Sequence, residues 1–313
     1  MSQSMLQTHN VPDALFPTHS FKLGFTTCST APALPHLSTV PLDDAALGIH
    51  KNTGKLKHDV VRPPHPIRPS PHPEPERAWE ARYGRGSCSP KTEIPGGLGF
   101  YLAGPKDITN ALEGGAKEAI FSYRMMLEKD WEFVKGGKLP GMYGGVGELA
   151  YRCSGGRQDE RCKCFDVRLM WRSEGQGEVY AYLPLNDTNK KILLAVPPGG
   201  QASSDYGVST GRGSWTFERG VWMTIAERVK LNDVGKENGL YPICSLDVPS
   251  GELQLWINGT CVIHAKGLTF REEEASHIKG MHFQTFFGGH TPDWASPKDQ
   301  RAWFADVSGV IVR

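Results

Sequence analysis

Residues 165–172 alternate strictly: Phe165, Val167, Leu169 and Trp171 fall on one face, and Asp166, Arg168, Met170 and Arg172 on the other. That period of two predicts a half-buried β-strand. Residues 173–177 (SEGQG) are small, polar and glycine-containing, the composition of a turn. Alternation resumes with Val179, Ala181 and Leu183 against Glu178, Tyr180 and Tyr182. The pattern predicts a β-hairpin. With the turn centred on Gly175, Arg172 faces Glu178, Met170 faces Tyr180 and Arg168 faces Tyr182.

Short alternating segments recur along the rest of the chain, punctuated by Gly, Pro and Asn. They predict strands over residues 100–102, 118–128, 130–135, 165–172, 178–183, 214–218, 221–231, 252–257, 260–265, 280–287 and 302–312. Asn258-Gly259 between two such segments fits a type I′ hairpin turn. No long helical period is present. Many strands with regular turns predict an all-β fold, a two-sheet β-sandwich of jelly-roll (concanavalin-like) type.

Residues 1–77 lack this periodicity. Within them, residues 62–76 (RPPHPIRPSPHPEPE) carry seven prolines interleaved with histidine and arginine. The expectation is a disordered, proline-rich N-terminal arm and linker over 1–77 and one folded domain over 78–313. The histidines are too irregularly placed to read as a metal site. No basic segment followed by an apolar core marks a signal peptide.

Composition narrows the partners. The chain is 39% apolar with eight Trp and thirteen Phe, ample for a sizeable core, and its formal net charge is +1. No apolar run approaches the roughly 20 residues needed to cross a bilayer. The charge balance gives no electrostatic reason to expect nucleic acid or a membrane surface. Seven cysteines are present, and Cys153, Cys162 and Cys164 bracket a polar loop. Their spacing is a poor match for zinc. A disulfide suits an exported protein and free thiols a cytosolic one.

The polar face of the hairpin is chemically unusual. It gathers Arg168, Arg172, Tyr180, Tyr182, Asp166 and Glu178. Arginine grips a carboxylate bidentately, and a phenol can exchange a proton, so the set suits an anionic sugar. A stabilising surface ladder accounts for the same residues, with Arg172–Glu178 as a cross-strand pair. Just upstream, Lys135-Gly-Gly-Lys138-Leu-Pro-Gly reads as a tight glycine-rich turn presenting two lysines; it lacks phosphate-loop spacing. In residues 281–287, His282 and Gln284 fall opposite the apolar set and so onto the same polar face, with His290 in the loop beyond. Trp215 and Trp294 suit either core packing or stacking on sugar rings.

Three separated motifs, FVKGGKLPGMYGG, the pair RLMWR…GEVYAY and the C-terminal QTFFGGHTPDWASPKDQRAWF, resemble polysaccharide lyase family 14 over roughly residues 78–313. That family includes alginate lyases and glucuronan lyases. The resemblance implies a jelly-roll enzyme that cleaves a polyuronate by β-elimination, with no cofactor and no metal. It implies catalytic roles for Lys138, Arg168, Tyr180 and Tyr182; the placement of Asp166, Arg172, His282, Gln284 and Lys135 on the polar face and glycine-rich turn makes them substrate-binding candidates. Family members commonly carry serine where this chain has Asp166; Arg168 or Lys138 is then expected to neutralise that carboxylate. The expected partner is an anionic polysaccharide acted on by a monomer. An extracellular setting follows from that substrate class. Two other readings use the same residues: a non-catalytic carbohydrate-binding jelly roll, and an intracellular interaction protein with the proline-rich arm as ligand.

Overall fold

The alternating segments assemble into two sheets. The computed structural model describes residues 11–53, 56–70, 72–90, 92–203, 206–235, 250–289 and 291–313. In one sheet, Thr260–Leu268, Gly251–Ile257, Trp222–Lys230, Glu118–Leu127 and Gln300–Ile311 lie side by side. Leu23–Thr26 and Ala78–Tyr83 share the free edge of Gln300–Ile311. In the other, the order is Ile49–His50, Gly96–Leu102, His277–Phe287, Gly136–Gly145, Cys164–Arg172, Gly177–Tyr182, Val208–Thr210 and Gln201–Ala202. Named pairings are antiparallel except that of Leu23–Thr26 with Leu37–Thr39. Ala78–Tyr83 also pairs with Gly96–Leu102, linking the sheets.

Alternate side chains of both sheets fill one core. Phe121, Tyr123 and Met125 from the first sheet join Val167, Leu169, Trp171 and Phe283 from the second. Tyr123 meets Phe283 across the interface, ring centroids 5.4 Å apart. The opposite face of the second sheet is left to polar chemistry. The fold is all-β, as the alternation predicts, and Asn258 and Gly259 both take positive φ, as a type I′ turn requires.

Three local expectations need correction. Residues 130–135 and 214–218 are turns and bridges, whereas Gly136–Gly145 is a ten-residue buried strand. The glycines there permit close packing: a Cβ on Gly137 would lie 2.0 Å from the Trp171 ring, and one on Gly141 would lie 2.0 Å from the Val167 carbonyl. Short helices at Lys106–Glu113 and Asp187–Ala195 were hidden by the absence of a long helical period.

The N-terminal arm, expected to be disordered, packs on the domain at several separated points. Residues 1–10, 54–55 and 71 lie outside the described residues. Leu15, Phe16, Phe25, Leu42 and Leu47 are buried. Leu23–Thr26 takes up the ladder at the edge of Gln300–Ile311. In the proline-rich part, Arg124 donates to the Pro73 carbonyl (2.8 Å) and the Ile67 N–H donates to the Gly220 carbonyl (2.8 Å). The arm needs no periodicity of its own, because scattered apolar residues enter a core the domain supplies and its backbone groups pair with the domain. Phe25→Ala is therefore expected to cost about 3–5 kcal/mol in a denaturant titration. An unchanged midpoint would mean that the arm does not pack as described.

Candidate active site

Lys138 sits where its strand leaves regular pairing. The ladder to Cys164–Arg172 slips between Lys138 and Gly141, and the ladder to His277–Phe287 slips between His282 and Phe286. Pro140 lies inside this bulge, where its missing N–H breaks no ladder bond. The bulge frees two carbonyls, and buried side chains take both. Arg168 Nε donates to Leu139 O (3.3 Å), and the Tyr123 hydroxyl donates to Pro140 O (3.2 Å). The lysine expected on a loop is thus on a rigid, buried strand.

The environment of Lys138 disfavours its charge. The side chain is buried, and its Nζ lies 2.9 Å from the Met170 sulfur, a weak acceptor. Among the described residues it has no carboxylate partner within ion-pair distance. The Tyr180 ring centroid is 3.7 Å away and that of Tyr182 5.3 Å. Burial, followed by the positive fields of Arg168 and Arg172, pushes the amine well below the ordinary lysine range, with Glu178 and Asp166 opposing. Lys135, by contrast, is exposed, paired with Asp293 and 5.9 Å from the Trp294 ring.

Arg168 is buried beneath the polar face and held by three bonds. Besides Leu139 O, it donates to Gln284 Oε1 (3.3 Å) and to the Gln284 carbonyl (2.6 Å). A guanidinium has five N–H groups, so two have no protein partner among the described residues. Asp166 does not pair with Arg168 or Lys138, as the sequence suggested. Its Oδ2 bonds His282 Nδ1 at 2.8 Å, and its Oδ1 has no protein partner among the described residues. His282 is stacked under Tyr101 at 4.3 Å and buried. Burial and Arg168 hold the imidazole below its ordinary range, against Asp166. The pairing reaches across Gly136–Gly145, the strand that separates Cys164–Arg172 from His277–Phe287, and the hairpin pattern alone carries no information about it.

The hairpin register differs from expectation by two residues. Met170 faces Glu178, Arg168 faces Tyr180, and Asp166 faces Tyr182. Glu174 (φ 60°) and Gly175 (φ 78°) fold a three-residue loop closed by Arg172 N–H to Gln176 O at 2.7 Å. Arg172 and Glu178 still meet, but diagonally, at 2.6 Å. Glu178 is fully buried and also takes Arg212 (2.6 Å) and the Ser209 hydroxyl (2.7 Å). These partners hold its carboxyl below the usual range against burial.

The two tyrosines differ in access. Tyr182 is buried against the Cys153–Cys164 disulfide, and Arg161 lies 5.2 Å from its ring. Tyr180 is half-buried and its hydroxyl accepts from Gly207 N–H at 3.4 Å. Burial raises both phenols, so both keep their protons at neutral pH. Tyr180 also lines a cavity of about 440 Å³ with Lys135, Arg172, Ser209, Arg212 and Trp294. Trp215 is a core residue. His290 and Cys244 lie outside the described residues.

Sequence reasoning missed Tyr101, Arg212, Ser209 and, below the face, Glu227. The last had a signal: it follows Met223 and Ile225 and precedes Val229 on an alternating face that should be wholly apolar. It is buried in the core and accepts from Met142 N–H, next to the bulge, at 2.7 Å. Burial pushes its carboxyl well above the usual range. A raised pKa gives stability that is complete below the unfolded value, ~4.3, and is lost as pH rises towards the folded value. Glu227→Gln can keep the acceptor without titrating. Denaturation at pH 4, 6 and 8 should show the variant gaining on the parent as pH rises; parallel curves would mean the carboxyl titrates normally.

Comparisons with known proteins converge on one family. The model of the family described as Polysaccharide lyase 14 matches residues 72–307. The marine PL-14 alginate lyase from Aplysia kurodai is 32% identical, with 84% of this chain and 90% of that chain covered and a TM-score of 0.64. Alginate lyase vAL-1 from Chlorella virus is 20% identical, with 85% and 93% covered and a TM-score of 0.59. A mutant of alginate lyase Aly36B in complex with alginate tetrasaccharide is 19% identical, with 75% and 81% covered and a TM-score of 0.54. At those identities the latter two speak to the fold alone. No curated protein matches the chain.

Proposed function

The chain belongs to polysaccharide lyase family 14, and from that premise we propose that it cleaves a polyuronate by β-elimination at the face holding Lys138, Arg168 and Tyr180. The similar structure from Aplysia kurodai, an alginate lyase, favours alginate over glucuronan. The Cys153–Cys164 disulfide supports work outside the reducing cytosol.

The proton on C5 of a uronate lies α to a carboxylate and is weakly acidic while that carboxylate is charged. In the proposed step, the two remaining N–H groups of Arg168 bind the carboxylate and draw off its charge. Neutral Lys138 takes the C5 proton. The C–H electron pair becomes the C4=C5 double bond, the C4–O4 bond breaks, and Tyr180 gives its proton to the departing O4. Tyr180 is preferred over Tyr182 because it lines the open cavity and is only half-buried, whereas Tyr182 is buried. The ammonium left on Lys138 faces the Tyr180 ring, where a cation is welcome.

One observation carries the reading: a buried lysine with no counter-ion among the described residues, in the field of two arginines and beside two tyrosines. General attraction for a polyanion needs exposed, charged lysines and does not account for such a site. The test is incubation of the full chain with polymannuronate, polyguluronate and glucuronan, following ultraviolet absorbance of the unsaturated product. Absorbance growing with one of them supports elimination. Binding of these polymers without any absorbance would leave a carbohydrate-binding jelly roll in its place.

A further inference from the structure

The residue row that carries Arg168 does not stop at the candidate active site. Ladder register runs from Tyr180 to Arg168, Gly141, His282, Tyr101 and finally His50. His50 belongs to the N-terminal arm, ahead of the family match at residues 72–307. At strand spacings of about 4.8 Å, it lies four strands and roughly 19 Å from Arg168. The arm thus extends the polar face by one strand, beyond what the family-matched residues build.

This added end has an aromatic floor. His50 is hydrogen-bonded to the Tyr151 hydroxyl at 3.1 Å, and its ring is edge-on to Tyr151 at 5.7 Å. Tyr101 meets Tyr151 edge-to-face at 4.8 Å, and both are half-buried rather than sealed. Cations surround it. Lys51 Nζ sits 4.4 Å over the Tyr151 ring, and the Glu148 carboxyl feels Lys51, Lys279 and Arg152 together. The Lys51–Glu148 pair (2.9 Å) has side chains 43% and 77% exposed, so it is weak and open to exchange for another carboxylate. Lys51 is also held at φ 51°, an unfavourable backbone for a residue that merely decorates a surface.

We infer that residues 49–53 of the arm, with Tyr101 and Tyr151, form a distal saccharide site that holds a uronate unit of the same polymer, several sugars from the bond being cut. The occupant follows from continuity of the row with the candidate active site and from charge: Lys51 stands over the Tyr151 ring in an exposed pair that another carboxylate can enter. The aromatic floor supplies stacking surface for a sugar ring. The inference rests on the polyuronate reading above. A short oligomer seated at Arg168 does not reach His50, whereas a long chain does.

Substrate length provides the test. Lys51→Ala in the full chain should raise KM for the polymer about two- to fivefold, the range expected for one exposed charge contact. Lys51→Glu should raise it further and Lys51→Arg should restore it. KM and kcat for a trimer of the same uronate should stay at parent values in all three, and melting temperature should not move. No change on the polymer, or equal changes on polymer and trimer, would overturn the inference. If the parent chain releases no unsaturated product from any polyuronate, the elimination reading fails instead. The distal site is then judged by titration calorimetry of polymer and trimer against parent and Lys51→Ala, with the same length criterion.

Discussion

Lys138→Ala should lower kcat for elimination by ~10²–10⁴-fold, the range for losing acid–base help, while polymer binding persists. Lys135→Ala is the control: it removes the same charge three residues earlier, from an exposed side chain paired with Asp293. If both lysines only attract a polyanion, the two variants will lose activity alike, and added salt will weaken binding to the same degree. Equal losses would sink the assignment. The parent's pH–rate profile should rise with pH along a limb below the ordinary lysine value, because the amine must be neutral to act. Stability offers an independent check. A lysine with a depressed folded pKa binds fewer protons than the unfolded chain, so it costs stability at every pH below ~10.4 and most at low pH. Lys138→Met should therefore raise the melting temperature as it abolishes turnover. A destabilised, inactive variant would point to a structural lysine.

Alternation made most of the fold legible, and the failures share a cause. Period-two patterning states which face a residue takes, not which strand lies next to it. Arg168, Tyr180 and Tyr182 could be placed on one face from the hairpin alone. That Asp166 would bond His282, 116 residues away, could not be. The register slip has a local origin, since two positive-φ residues, Glu174 and Gly175, shift the turn centre. Residues 135–141 read as a turn because glycine and proline usually mark one, whereas Gly136–Gly145 is a strand. Here Trp171 and Val167 occupy the space side chains would take, and Pro140 sits at a bulge. The arm was misread for a related reason: Phe25 is one aromatic in an aperiodic segment, and its burial is decided by Gln300–Ile311, near the far end of the chain. Glu227 was legible and overlooked, as a carboxylate on an otherwise apolar face.

The electrostatic design around Lys138 can be tested with two substitutions of opposite sign. Arg168 lowers the lysine's pKa and Asp166 raises it. Arg168→Gln should therefore move the ascending limb of the pH–rate profile to higher pH, and Asp166→Asn should move it to lower pH. The asparagine can retain the bond to His282, so the second shift reports lost charge and not a lost partner. Rates separate the roles further. Removing Arg168 takes away donors aimed at the developing negative charge and should cost ~10²–10³-fold in kcat. Arg168→Lys should not rescue it, because an ammonium cannot reproduce the fork that reaches Leu139, Gln284 and a carboxylate together. Asp166→Asn touches neither the C5 proton nor O4 in the proposed step, so near neutral pH its activity should hold or rise as more Lys138 becomes neutral. Limbs that move in the same direction, or do not move, would show that the titrating base is not a lysine set between these two charges.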